Sequence, residues 1–306
     1  MAPSAREALR HNVGHLASVA LVLMWSSGYV GAELGTRAGG TPLQLLGWRF
    51  SILGVLLVTV CLVLGVRLND RAAWKRQAVL GLFSQAVFLF LIFEGVSRGV
   101  DGGTAALIAA LQPLLVATVA GKVLGERTTV GMWIGMALGM AGVVVVVSGG
   151  LDAGAAPWWA YLFPAVGMLS LATGTVLTQR LQPTETLLQS ITMQSVVAGV
   201  VLMSAALLTG QAALTAEPDF WAAVAWLVFL STLCGYVLFV FVTRPRGATV
   251  ASVLLYLTPP TTMIWVWLMF GVPITLVAVV GMAVSAIGVI LVLRSRPAGA
   301  GQRVRR

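Results

Sequence analysis

The sequence predicts an all-α integral membrane protein of ten transmembrane helices, arranged as two inverted five-helix repeats. Three observations carry this reading: a composition suited to lipid, ten apolar runs of spanning length, and an internal repeat at a spacing of 146 residues. Of 306 residues, 58% are hydrophobic and 9% charged, and the mean hydropathy is +0.95. A soluble domain carries about a quarter charged residues. In water this chain would expose an apolar surface large enough to aggregate. Ten crossings of about 22 residues use roughly 220 residues and leave about 86, too few for a folded soluble domain besides.

The apolar runs fall, in order, at His15 to Gly35, Leu43 to Val66, Trp74 to Val96, Gly102 to Val123 and Thr128 to Ser148. They resume at Pro157 to Arg180, Thr186 to Thr209, Phe220 to Thr243, Gly247 to Phe270 and Ile274 to Leu293. The runs are continuous rather than alternating, which argues against a membrane β-barrel. The chain divides into a tail at 1–14, a first half at 15–148, a Gly-rich linker at 149–156, a second half at 157–294 and a basic tail at 295–306. Arg6 and Arg10 followed by an apolar stretch from Leu16 imitate a signal peptide. No A-x-A site closes that stretch, so it reads as a retained first span.

The net charge of +9 is explained by topology. With the N-terminus placed in the cytoplasm, sixteen of the nineteen basic residues fall on the inner side, and Arg37, Arg49 and Arg98 fall on or near the outer side. That asymmetry is what the positive-inside rule requires, and it puts both termini in the cytoplasm. The Arg-rich C-terminal tail then reads as an anchor beside anionic lipid, and nucleic acid is not expected as a partner. His11 and His15 precede the first run, and Cys61 and Cys234 sit inside apolar runs. No metal site, cofactor or disulfide framework is expected from them.

Residues 102–149 align with 248–295 without a gap, with 11 identities in 48 positions. Composition bias alone would give about 4. The identities include Pro113 with Pro259, Gly125 with Gly271, Gly135 with Gly281 and Gly142 with Gly288. These residue types punctuate helices, so their fixed separation is informative. Five helices per half is an odd number, which turns the second half over in the membrane. Inverted repeats of this kind mark secondary transporters, with the solute site between the halves near the midplane.

Several segments carry a family resemblance. They are Trp25-Ser26-Ser27-Gly28-Tyr29, Trp48-Arg49-Phe50, Ala105-Ala106-Leu107, Leu111-Gln112-Pro113-Leu114, Gly125-Glu126-Arg127 and Trp133-Ile134-Gly135. The second copy offers Ala251-Ser252-Val253, Leu257-Thr258-Pro259-Pro260, Gly281 and Gly288. In their order, over about 15 to 295, these segments resemble the ten-helix EamA branch of the drug/metabolite transporter superfamily. The second copy has Gly271-Val272 where that family often shows Gly-Glu. The resemblance implies a bacterial inner-membrane carrier, most often an exporter of amino acids or other small metabolites.

The chemistry-bearing residues follow from cost. Pro113 and Pro259 each remove a helical hydrogen bond and free a carbonyl, which in lipid needs a partner or a wet cavity. They read as paired kinks, with Gln112 and Thr258 beside them as polar contacts. Glu33, Arg49 and Glu94 are charges in or near spans, where charge is costly and faces an interior or a partner. Glu33 and Arg49 read either as a structural ion pair across the first hairpin or as substrate contacts. Glu94 reads either as a coupling acid or as an interfacial group beside Arg98. Trp25, Tyr29, Phe88, Tyr236, Tyr256 and Trp265 lie away from most span ends and read as cavity lining or as packing. Trp74, Trp158, Trp159 and Trp221 read as interface anchors. Gln85 and Thr173 are mid-span polar groups that line the pathway or join helices. The Gly135/Gly139 spacing permits close helix contact, within the chain or at a dimer face.

The function these features predict is secondary transport of small organic metabolites, outward, by alternating access, as a monomer or homodimer. A passive facilitator or channel is the alternative. A membrane-embedded enzyme fits less well, since no HExxH occurs and all four aspartates fall in or next to loops.

Overall fold

The computed structural model describes residues 5–113, 115–116, 129–152, 156–246, 255 and 257–294. Among these the chain is helical with no strand. The helices are α1 (Ala5–Arg37), α2 (Pro42–Val63), α3 (Arg71–Ser97), α4 (Gly102–Ala109) and α5 (Val130–Asp152). After a 3-10 turn at Trp158–Tyr161 come α6 (Leu162–Leu181) and α7 (Leu187–Leu208). Helix α8 joins Pro218–Trp226, a π-helical stretch Leu227–Cys234 and Gly235–Arg246, and α9 (Thr258–Phe270) and α10 (Leu276–Arg294) follow.

Six stretches are long and apolar enough to cross a bilayer: Leu16–Arg37, Pro42–Val63, Arg71–Ser97, Trp158–Leu181, Leu187–Leu208 and Pro218–Phe239. Trp133–Gly149 and Leu276–Leu291 are shorter apolar helices. Outward-facing side chains such as Val55, Val200, Val237 and Ile287 are 58–70% exposed. That is the surface expected of a protein solvated by lipid tails.

Polar residues open the helices where the chain leaves the apolar layer. Thr41 accepts a bond from the Gln44 amide, with Pro42 in the first turn. Asp70 caps α3 through Ala72 N at 2.8 Å, and Asp101 caps α4 through Thr104 N at 2.9 Å. Thr186 and Gln189 form a reciprocal capping box on α7. Each cap satisfies an amide that the helix itself leaves without a partner.

Several features differ from the sequence expectation. The prolines do not kink helix interiors. Helix α4 ends at Ala109, Ala110–Leu111 form a turn, and Pro113 lies just past it; Pro259 sits in the first turn of α9, behind a turn at Leu257. A residue without an N–H fits best where no helical bond is due. Helices α3 and α8 are also not uniform, each containing a π-helical stretch, Leu82–Val87 and Leu227–Cys234. Helix α1 extends upstream to Ala5, and α5 continues through Asp152 into the expected linker.

Glycines set the packing. Along α5 and α10, Gly149 faces Val277, Gly142 faces Ser285, and Gly135 faces Gly288. Numbers fall on one helix as they rise on the other, so the two run antiparallel. A Cβ on Gly288 would lie 2.5 Å from Gly135 O, and one on Gly281 would lie 2.6 Å from Gly142 O. The Gly135/Gly139 pair therefore packs within the chain, against α10. Ser285 Oγ closes the contact by donating to Gly139 O at 3.0 Å. Helices α2 and α7 pair in the same antiparallel sense, through Gly47 on Met203, Gly54 on Val196, and Cys61 on Thr192.

Replacing Gly142 or Gly288 by Ala forces a methyl group against backbone, which cannot yield as a side-chain tip can. Overpacking of this kind costs about 1–3 kcal/mol. Either variant is expected to lower the thermal unfolding temperature in detergent. Gly235→Ala is the control, because a Cβ there meets nothing closer than 3.9 Å. A loss at Gly235 equal to that at Gly142 would contradict the packing account.

Candidate functional site

A cavity of about 640 Å³ lies between the helices, lined by residues of both halves. Trp25, Gly28 and Tyr29 of α1 and Ser84, Gln85 and Phe88 of α3 form one wall. Ser231, Thr232, Tyr236 and Phe239 of α8 stand in another, and α6 adds Leu171, Thr175 and Gln179. Small residues let these helices close in. A Cβ on Gly28 would meet Ser231 Oγ at 2.8 Å, and Gly174 of α6 lies against Ser84 of α3. Both helix breaks border the cavity: Ala110, Gln112 and Pro113 on one side, Leu255 and Thr258 on the other. Irregular backbone at membrane depth is tolerated in just such a place.

Arg49 is the cation of this lining. It is 5% exposed, its Nη2 donates to Thr232 Oγ1 at 3.0 Å, and its guanidinium lies 4.9 Å from the Phe50 ring centroid. Among the described residues its Nε has no hydrogen-bond partner, and neither has Thr258 Oγ1. Thr232 reaches this position from the π-helical stretch of α8, where its hydroxyl also donates to Leu227 O, five residues back, at 2.9 Å. Gln112 Nε2 donates to Thr175 Oγ1 at 2.8 Å, tying the α4 break to α6.

The cavity extends to the connection between α6 and α7, where Gln179, Leu187, Ser190 and Gln194 line it. A polar latch crosses between the halves there. Arg76 Nη2 pairs with Glu185 Oε1 at 2.5 Å, and Gln77 Nε2 donates to Glu185 Oε2 at 3.1 Å and to Ser190 Oγ at 3.2 Å. Gln194 Nε2 donates to Gln77 Oε1 at 2.7 Å, which carries the network to the cavity wall. The Glu185 side chain is 4% exposed. Burial pushes its carboxyl up, but hydrogen bonds from its own backbone, Arg76 and Gln77, with the Arg76 charge, hold it below the usual glutamate value.

The opposite end is apolar. Phe50, Ile92 and Phe93 are buried, Trp226 Nε1 donates to Ser27 O at 3.0 Å, and Trp226 packs edge-on against Trp265.

The structure brings Trp25, Tyr29, Arg49, Gln85, Phe88, Gln112, Tyr236 and Thr258 to one cavity. Others stand elsewhere. Glu33 pairs with Arg37 at 2.9 Å rather than with Arg49. Glu94 pairs with Arg98. Both acids use the partner one turn ahead, which needs no bridging between helices. Thr173 is exposed on α6 and bonds back to Leu169 O. Pro259 is buried outside the lining, and Tyr256 lies outside the described residues. Sequence reasoning passed over Gln179, Ser190, Gln194, Ser231 and Thr232. The Ser190–Gln194 spacing of four on one helix face was the available signal. So was the 146-residue spacing of Gly28 and Gly174.

The EamA-like transporter family matches this chain twice, at residues 12–148 and 158–294. The chain is 30% identical to YedA, named as an uncharacterized inner membrane transporter of Escherichia coli, over 78% of this chain and 77% of that one. It is 26% identical to a protein of Streptantibioticus cattleyicolor named as a probable terminal-alkyne amino-acid exporter, over 91% of this chain and 92% of that one. A solved crystal structure aligns with a TM-score of 0.63 at 20% identity, covering 94% of this chain and 99% of that one. That likeness concerns the fold alone.

The depressed Glu185 value fixes a sign. The unfolded carboxyl titrates near 4.5 and the folded one lower, so the latch contributes its full stability above that pH. The contribution is lost as the pH falls through the folded value. Glu185→Gln is expected to cost about 1–3 kcal/mol at pH 7. The gap between the two proteins in thermal unfolding should close on acidification below 4.5. A gap that widened there would contradict the assigned ion pair.

Proposed function

This chain belongs to the EamA-like transporter family and is a membrane transporter, and from that premise we propose a secondary carrier of the bacterial inner membrane. It moves small organic metabolites outward by rocking two inverted halves around the central cavity. The observation that carries this reading is the cavity itself, about 640 Å³ and walled by both halves. Ten spans complete the scheme.

The inversion is supported by the pairing of equivalent helices. A shift of 146 residues maps α5 onto α10, and the contact of Gly142 with Gly281 maps onto that of Gly288 with Gly135. Equivalent helices that pack antiparallel through exchanged contacts are what a two-fold axis in the membrane plane produces. The α1–α8 contact of Gly28 with Ser231 and the α6–α3 contact of Gly174 with Ser84 exchange to within one residue.

Both termini lie in the cytoplasm in this reading, because the latch end carries Arg67, Arg71, Lys75, Arg76 and Arg180. The cavity then reaches the cytoplasmic side, which is where an exporter loads. Outward transport draws on the relative named as an amino-acid exporter. A facilitator would need a path open at both ends, and the packed aromatic end favours a carrier.

Accessibility tests this directly. In a background lacking Cys61 and Cys234, Ser190→Cys is expected to react with a membrane-impermeant maleimide from the cytoplasmic face and not from the periplasmic face. Reaction from both faces at once would establish a pore. Among the described residues no carboxylate lines the cavity, and Glu94 is engaged by Arg98. Glu94→Gln is therefore expected to leave any response of flux to a pH gradient unchanged in proteoliposomes. A lost response would restore Glu94 as the coupling acid.

A further inference from the structure

The charge balance of the cavity is unequal. Its lining holds one guanidinium, from Arg49, and no Asp or Glu among the described residues. A buried cation normally holds a carboxylate, since desolvation without a partner is costly. Here Glu33 is held by Arg37, Glu94 by Arg98 and Glu185 by Arg76. Among the described residues Arg49 has only the neutral Thr232 hydroxyl and the Phe50 ring, and its Nε is without a partner there. The Thr258 hydroxyl in the same lining has no partner either. The remaining walls are largely apolar and aromatic, with Trp25, Tyr29, Phe88 and Tyr236 in them.

We propose that the transported solutes are organic carboxylates with an apolar or aromatic body, the carboxylate set against Arg49 and the body among these rings. The proposal rests on the carrier reading above and names its substrate class. A planar guanidinium pairs with a carboxylate through two parallel hydrogen bonds. A bound anion also neutralises the charge that Arg49 otherwise keeps buried alone. A solute that is only cationic finds no countercharge here and meets repulsion. The ammonium of an amino acid is tolerated through its own carboxylate and through the electron-rich ring faces.

The test uses the purified full-length chain in nanodiscs, with binding read by tryptophan fluorescence, and four probes sharing one phenyl body. These are 3-phenylpropionate, 3-phenylpropanamide, L-phenylalanine and L-phenylalaninamide. The two carboxylates are expected to bind about tenfold or more tightly than their amides. Arg49→Gln should erase that preference, and Arg49→Lys should keep it in weaker form. Equal binding of carboxylates and amides by the unaltered protein overturns the proposal, whether or not Arg49→Gln folds. So does a preference that survives in Arg49→Gln, or no binding by any of the four probes. Counterflow of labelled L-phenylalanine in proteoliposomes separates the two readings. Arg49-dependent binding without counterflow overturns the carrier and leaves the anion site standing. Counterflow that L-phenylalaninamide competes for as well as L-phenylalanine does overturns the anion site and leaves the carrier standing.

Discussion

Close approach of backbones at small residues is the constraint on which the rest of this structure depends. Lipid tails are as apolar as leucine, so helices in a bilayer gain little by hiding apolar surface from their solvent. They associate through van der Waals packing and a few hydrogen bonds. Gly142, Gly281 and Gly288 let α5 and α10 meet backbone to backbone, and Gly54 and Gly199 do the same for α2 and α7. With these pairs locked, the other helices are left to surround a space rather than fill it. Gly28 and Gly174 bring α1 and α6 onto the third helix of the other half. The cavity is therefore a product of cross-half packing.

The second determinant is where the chain leaves ideal helix. The turn at Ala110–Leu111 and the start of α9 at Thr258 would expose bare amides and carbonyls to lipid if they faced outward. Both instead border the cavity. A polar interior then becomes tolerable for Arg49, which is buried in that lining. The two ends of the cavity are unlike in kind. One is held by charge and amide groups, Arg76, Glu185, Gln77 and Gln194. The other is held by Phe50, Trp226 and Trp265. Water competes for the first set of contacts and not for the second.

Much of the fold was legible because hydrophobic run length is a strong signal in a membrane chain. The runs at Leu43 to Val66 and Thr186 to Thr209 lie within a few residues of α2 and α7. What was not legible is local. Proline marks an irregularity but does not say whether a helix bends or stops, and at Pro113 and Pro259 it stands beside a stop. Arg49 was singled out by the cost of its charge, and that logic holds for any intramembrane charge. Its partner was not readable, because Glu33 had an arginine one turn away as well as one across the hairpin. Ser231 and Thr232 were passed over since isolated hydroxyls are common in apolar helices. Only the geometry of a widened turn aims Thr232 at Arg49.

That widened turn has a counterpart in the other half. A π-helical stretch is rare and appears mostly as a bulge inside an α-helix, frequently at a functional site. Leu82–Val87, moved along by 146 residues, falls within Leu227–Cys234. Each half therefore presents hydroxyl side chains to the cavity from a widened turn of its third helix, Ser84 in one and Ser231 with Thr232 in the other.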